Sequence, residues 1–431
     1  MSRLLSVTLL EVYALVLALV QHVRGVRSDE AVSLLNIPVF DPPLIRTILH
    51  RTEFLSFGDF FWRLVFATIL IQSVWFIYET AHGLPQRLKK TLCGAWLLSA
   101  SLILSAGALS MASIAALFGL LLALLLTMEQ DLKIGGLLAR FKRYLKAERT
   151  PARAMRFVHD VLHHNDERLA FLIGCLWLAA MFTAYQALLY FPIVVLLLLR
   201  TKTPHWKKIL YFYSPLLLLL CYTLRNPLLL LSFVQNFTRD LHALSITEHL
   251  LYGLSLWSMG GGLVLSIVGT AGIVIMRRWE LLASLSLTLL LAILSPHIHD
   301  SILFLPLFIG GTYFLFHHRK AKKLKDAHVL AAGLIMAVTA VFFFPSLEPN
   351  LARDAMKKIP VDDINATILL VGPYSYEWSY YSYLPIIHYS ENLKNPITKY
   401  MICIKDCPES LKGGMVAKED LSLGITLYER Q

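Results

Sequence analysis

Long apolar runs recur along the first 344 positions, at about 4–23, 60–79, 92–109, 112–128, 169–184, 186–200, 208–224, 249–276, 280–295, 301–316 and 327–344. A spanning helix needs about 20 apolar residues. The pattern therefore predicts a mainly α, polytopic transmembrane helical bundle of about eleven helices, with 92–128 and 169–200 each split into a tight hairpin. The run Leu4 to Val23 has one basic residue before it and no small-x-small cleavage site, so it reads as a retained first helix rather than a signal peptide. The pattern changes at Pro345. The stretch INATILLVGPYSYEWSYYSYLPIIHYSE alternates β-branched and aromatic residues with turn formers, and it predicts a small α/β C-terminal domain over 345–431.

Composition agrees with this reading. Of the 431 residues, 56% are hydrophobic and 16% charged, against about 25% charged in soluble domains. Lipid can solvate that much apolar helix surface, whereas a soluble core cannot absorb it. The net charge of +11 would suggest nucleic acid in a soluble protein. Here its location matters more than its sum, and no nucleic-acid partner is expected. With the N-terminus inside, the pieces 1–3, 80–91, 129–167, 200–208, 277–279 and 317–326 hold 23 Lys and Arg, and the outer loops 24–59 and 225–248 hold six. By the positive-inside rule, 24–59, 225–248, 296–300 and everything after Phe344 face away from the cytoplasm. The basic segment 139–166 suits anionic headgroups at the inner face, or is a solvated helix obeying the same rule.

Cys93, Cys175 and Cys221 fall inside apolar runs and read as packing residues. Cys403 and Cys407 form a C-x3-C pair that suits a disulfide in an oxidising compartment. Two cysteines alone do not make a zinc site.

The first outer loop carries the most chemistry. Asp29 and Glu30 follow the first helix directly, at the expected membrane surface, and four arginines share the loop. An acidic pair beside basic residues at a lipid boundary suits proton removal from an acceptor while arginine holds a phosphate. The plainer reading is a charged loop that stops the first helix from sliding. On the same outer side, His297, His299 and Asp300 form an H-x-H-D turn, either a metal or phosphate site or a polar turn with Asp300 capping the next helix. The aromatic run 374–381 either contacts a sugar or belongs to the core and edge of a small sheet.

Three motifs in order resemble the GT-C superfamily of membrane glycosyltransferases, in its protein O-mannosyltransferase-like and aminoarabinose-transferase-like branch. They are Asp29-Glu30-Ala31-Val32-Ser33-Leu34, then Asp41-Pro42-Pro43-Leu44, then Gly58 to Arg63-Leu64 at the start of the second helix. The agreement covers roughly residues 24–79, and beyond that it is one of topology. Three departures stand out. The next outer hairpin, at Ala108 to Ala112, has no ionisable group; a later T-H-Y site reads Thr183-Ala184-Tyr185; and an expected R-Y is replaced by the histidine turn at 295–300.

The resemblance implies an inverting glycosyltransferase that takes a sugar from a polyprenyl-phosphate carrier and passes it to a lipid, glycan or protein acceptor. The site would face outward from a bacterial or archaeal plasma membrane. Asp29 would be the general base and Glu30 would position it or share the acceptor contact. Arg27, Arg63 and Arg225 are the candidate phosphate ligands, with His297 and His299 beside them. Arg63 is alternatively a snorkelling residue at a helix end. A divalent metal is compatible with the pattern but no cofactor is required by it. Two other classes compete: a carrier of lipid-linked sugars, which calls for ionisable groups within spans or repeated broken helices, and a surface-polysaccharide polymerase or ligase, which usually carries its large loop between late helices.

Overall fold

The computed structural model describes residues 3–27, 30–31, 34–35, 47–49, 59–81, 84–128, 166–225, 227, 245–294, 298–317, 334–335, 338, 350–359, 366–372, 376–382, 384–389, 398–404, 407–420 and 425–430. Asp29, His297, the basic segment 139–165 and most of the expected span 327–344 lie outside these residues.

The helices follow the apolar runs. They are α1 (Arg3–Arg24), α2 (Asp59–Gln72), α3 (Val74–Thr80), α4 (Gln86–Leu97), α5 (Ala100–Ser105), α6 (Met111–Met128), α7 (Asp166–Thr183), α8 (Phe191–Arg200), α9 (His205–Arg225), α10 (Ile246–Ile275), α11 (Trp279–Leu294) and α12 (Leu305–His317). Among the described residues, five segments are long and apolar enough to cross a membrane: Ser6–Arg24, Asp59–Thr80, His205–Arg225, Ile246–Ile275 and Asp300–His317. On several of them the exposed side chains are apolar, such as Leu9, Val12, Leu217, Leu251 and Leu263. Water would penalise such a surface and lipid would not, so this is an integral membrane protein. The expected count of about eleven spans is not reached among the described residues.

Two expected spans are built differently. The run 92–109 is not one helix. It breaks at Ser99, whose hydroxyl caps α5 by accepting from Leu102 N, while α4 begins earlier at Gln86. The run 186–200 starts as a 3₁₀ turn over Tyr185–Tyr190 before becoming α8. Asp300 is not a helix cap but sits within a 3₁₀ segment, Ile298–Phe304, that leads into α12. It is 6% exposed.

One large apolar core joins α1 through α12. At its centre α12 is buried along nearly its whole length, against α10 on one side and α6 on another. The long α10 opens with a capping box, in which Ser245 and Glu248 satisfy each other's orphan N–H groups, and it kinks at Gly262. Polar contacts tie α1 to α2: Gln72 Nε2 donates to Glu11 Oε1 at 2.7 Å, and Thr68 donates to its other oxygen at 3.4 Å.

After the helices come α13 (Leu351–Met356), β1 (Ile368–Val371), α14 (Tyr376–Tyr381), β2 (Ile386–His388), β3 (Tyr400–Ile404), β4 (Met415–Asp420) and β5 (Ile425–Arg430). The sheet order is β2-β1-β3-β5-β4. Strand β1 pairs parallel to β2 and β3, and β5 pairs antiparallel to β3 and β4. All four residues of β1 are buried, as a strand covered on both faces requires. Alternate residues divide between two cores. Ile368, Leu370 and Ile402 face α13 and Trp378, whereas Leu369, Val371 and Met401 face the opposite side. Cys403 and Cys407 are joined by a disulfide there. Of the run 374–381, expected as the core and edge of a sheet or as a sugar contact, residues 376–381 form helix α14 and 374–375 lie outside the described residues. Its Trp378 is core, while Tyr380 and Tyr381 reach toward the end of α1.

Candidate functional site

The site begins where α1 stops. His22 O accepts from Gly25 N, and Gly25 takes φ +80°, a left-handed conformation that costs a side-chain-bearing residue about 1 kcal/mol or more. A Cβ there would also sit 2.6 Å from the Tyr381 hydroxyl oxygen. The chain turns at once into a short helical segment, in which Ala31 N donates to Arg27 O and Leu35 N to Ala31 O. Glu30 lies within this turn.

Arg63 approaches from the first turns of α2. Asp59 and Arg63 are four residues apart on that helix and face the same way. Arg63 Nε donates to Asp59 Oδ2 at 2.5 Å. Its Nη1 donates to Glu30 Oε1 at 2.8 Å and to Gly107 O at 3.0 Å. Its Nη2 donates to Glu30 Oε2 at 2.8 Å and to Gly25 O at 3.3 Å. All five N–H donors of the guanidinium are engaged. Glu30 is equally occupied, because it also accepts from Arg27 N and Leu109 N, each at 2.9 Å. His22 Nδ1 lies 2.9 Å from the remaining Asp59 oxygen.

Both members of the Glu30–Arg63 pair are sealed from solvent, with side chains 2% and 0% exposed. This corrects the expectation that Glu30 sits at an open membrane surface. A buried charge is tolerated only when it is paired and hydrogen-bonded. Burial alone would raise the Glu30 pKa. The Arg63 charge, the bidentate bonds and the two backbone donors outweigh that and hold it below the usual carboxylate value.

Arg63 therefore neither reaches out to a phosphate nor snorkels to the interface. It joins three parts of the chain: the first loop, α2, and the turn between α5 and α6. That turn lacks the ionisable group expected in the second outer hairpin. It contributes the Gly107 carbonyl and the Leu109 amide instead. Asp59, His22 and these two backbone groups were missed from the sequence. Only the i,i+4 spacing of Asp59 and Arg63 could have pointed to any of them.

Two short helices of the C-terminal region, α13 and α14, close over the same loop. Val26 N donates to the Tyr381 hydroxyl at 2.6 Å, Asn350 Nδ2 donates to Val26 O at 2.9 Å, and Arg353 Nη1 donates to Val23 O at 2.9 Å. Val26, Ala31, Leu34, Leu49, Phe66 and Leu109 form a small core there, with Tyr380 and Tyr381 packed against it.

The other candidates are scattered. Arg27 is half-buried, and its Nε has no hydrogen-bond partner among the described residues. Arg225 is exposed at the end of α9. His299 belongs to the 3₁₀ segment before α12. Among the described residues no three His, Cys, Asp or Glu side chains converge as a metal site. The two carboxylates of the cluster are directed at Arg63 rather than left open to a cation.

No family model matches the sequence, and no curated protein matches it. Among solved structures, the fold is similar to that of the mycobacterial arabinofuranosyltransferase AftD, seen by single-particle cryo-electron microscopy, with a TM-score of 0.54 and 12% sequence identity. The match covers 100% of this chain and 40% of that one. The chain thus spans less than half the length of the protein it matches, and at this identity the likeness is one of fold.

Proposed function

We propose that this chain is a multi-pass membrane glycosyltransferase of the GT-C class, and that Asp29 is its catalytic base. The observation that carries the reading is the sealed Glu30–Arg63–Asp59 cluster. It ties Glu30, the sequence neighbour of Asp29, to α2 in a fold similar to that of an arabinofuranosyltransferase. A base must be held to within a fraction of an ångström to act. Glu30, the next residue after Asp29 in the sequence, is held by four hydrogen bonds.

In this reading the donor is a sugar on a polyprenyl phosphate and the acceptor is a lipid, glycan or protein hydroxyl outside the cytoplasm. The Asp29 carboxylate takes the acceptor proton as the acceptor oxygen attacks the anomeric carbon. The bond from that carbon to the phosphate oxygen breaks with inversion, and the electron pair leaves on the phosphate. Arg27, with its buried Nε, is the first candidate to receive that charge. Arg225, His297 and His299 follow. Glu30 and Arg63 become positioning residues rather than ligands. Residues 1–344 form the membrane domain and 345–431 a soluble domain on the outward face, in a bacterial or archaeal plasma membrane.

The test is transfer from a synthetic polyprenyl-phosphate sugar by the purified protein in lipid. Asp29→Asn is expected to insert and fold normally and to lose at least about a hundredfold in rate, the usual scale for a general base. An Asn variant that keeps wild-type transfer removes Asp29 from the mechanism.

A further inference from the structure

A second basic site lies away from the first loop. A cavity of about 650 Å³ opens between α8 and the start of α11, lined by Arg200, Arg277, Arg278 and Glu280 together with apolar side chains that include Phe191, Val195, Leu199 and Trp279. This volume falls in the usual range for small-ligand sites, about 300–1,000 Å³. Both basic segments, 200–208 and 277–279, belong to the strongly basic set of loops.

The arginines are not equivalent. Arg278 is 7% exposed. Its guanidinium stacks 3.7 Å above the Phe314 ring, and Nη1 lies 3.4 Å from Glu280 Oε1. Its charge is therefore largely answered within the protein. Arg200 and Arg277 are exposed on the cavity wall, and the lining as a whole holds three guanidiniums against the one carboxylate of Glu280. Arg277 is also the one non-glycine residue with positive φ among the described residues, at +52°. The turn that holds it is tight: Arg277 N donates to Val274 O, and Arg278 N to Ile273 O. These two bonds are the turn that ends α10, and they place Arg277 at the left-handed position that glycine usually takes after a helix.

We infer that this cavity binds the headgroup of an anionic phospholipid. The phosphodiester would lie against Arg200 and Arg277, and the acyl chains would run down the apolar side. The flanking side chains decide between a lipid and a free anion. Leu199 is 60% exposed and Trp279 is 68% exposed, beside helices of a membrane protein. A soluble anion has no use for such a surface. An acyl chain does, and a tryptophan at this level is an ordinary interfacial anchor. Basic pockets between membrane helices bind acidic headgroups by this combination.

The experiment is native mass spectrometry of the full-length protein released from nanodiscs with equal phosphatidylglycerol and phosphatidylcholine, followed by thermal shift with each lipid and with inorganic phosphate. Wild type is expected to retain phosphatidylglycerol preferentially. The Arg200→Gln/Arg277→Gln variant is expected to lose about fivefold of that preference per arginine, and Arg200→Lys/Arg277→Lys to keep most of it. Equal retention of the two lipids by wild type overturns the proposal, whether or not the variants fold. So does an unchanged preference in the Gln variant. A thermal shift with inorganic phosphate equal to that with phosphatidylglycerol assigns the site to a free anion instead. None of these readouts depends on transferase activity.

Discussion

The two arginine sites differ in one respect that separates support from binding. Arg63 is wholly buried and spends all five donors on Glu30, Asp59 and two backbone carbonyls. Arg200 and Arg277 face a cavity. A guanidinium with every donor satisfied has nothing left for a ligand without dismantling what it holds. One exposed on a cavity wall can meet a ligand there. The same residue type is thus a staple at one end of the chain and, on our proposal, a receptor in the later helices, and exposure to a cavity separates the two.

The strongest break of this comparison is Arg63→Ala. It leaves Glu30 and Asp59 buried without their cation, and removing one partner of a buried pair costs about 3–5 kcal/mol. Detergent-solubilised Arg63→Ala is expected to melt far below wild type or to fail to accumulate. Arg63→Lys is expected to recover only part of the loss, because an ammonium cannot bridge both Glu30 oxygens and Asp59 together. A loss under about 1 kcal/mol for Ala would show that the cluster is not a staple.

Protonating Glu30 attacks the same cluster more gently, since Asp59 keeps its partner. The folded pKa of Glu30 lies below its unfolded value. Its contribution to stability is therefore complete above the unfolded value, about 4.3, and is lost as pH falls through the folded pKa. Thermal denaturation between pH 7 and pH 3 is expected to show an acid limb in wild type that is shallower in Glu30→Gln. Identical limbs would mean that other carboxylates carry the acid sensitivity.

Next in size is Tyr381→Phe. It removes the acceptor for Val26 N at the join between α14 and the first loop. A backbone donor left unpaired costs about 1–3 kcal/mol. Faster hydrogen exchange at Val26 is expected, with the sheet itself unchanged. Unchanged protection would show that Asn350 and Arg353 hold the join by themselves.

Much of this could be read from the residues. The apolar runs located most of the helices, and the first and third motifs contain Glu30 and Arg63, which the structure joins in a buried ion pair. The role of Arg63 was not legible. Its partners Gly25 and Gly107 act through carbonyls, which any residue carries, and Glu30 lies 33 positions away in the chain. The break at Ser99 was hidden because apolar sequence continues on both sides of it. The helix at 376–381 was hidden because its aromatic residues have strand propensity, and only packing of Trp378 into the sheet core overrides that. The cavity at Arg200 and Arg277 was hidden because both arginines were already accounted for by the positive-inside rule.

The smallest prediction bears on that last point. If Arg277 is kept for its charge, its backbone conformation is a cost, and glycine should relieve it. Arg277→Gly and Arg277→Ala both remove the charge, but only glycine suits φ +52°. Arg277→Gly is expected to be more stable than Arg277→Ala by about 1 kcal/mol, the reverse of their order in a helix. Both are expected to lose phosphatidylglycerol preference equally. An alanine variant as stable as the glycine variant would mean that the turn relaxes freely and that the left-handed position costs nothing at Arg277. If glycine is the more stable while lipid preference falls alike in both, the backbone cost and the ligand charge are separate properties of one residue, unlike at Arg63, where fold and charge cannot be pulled apart.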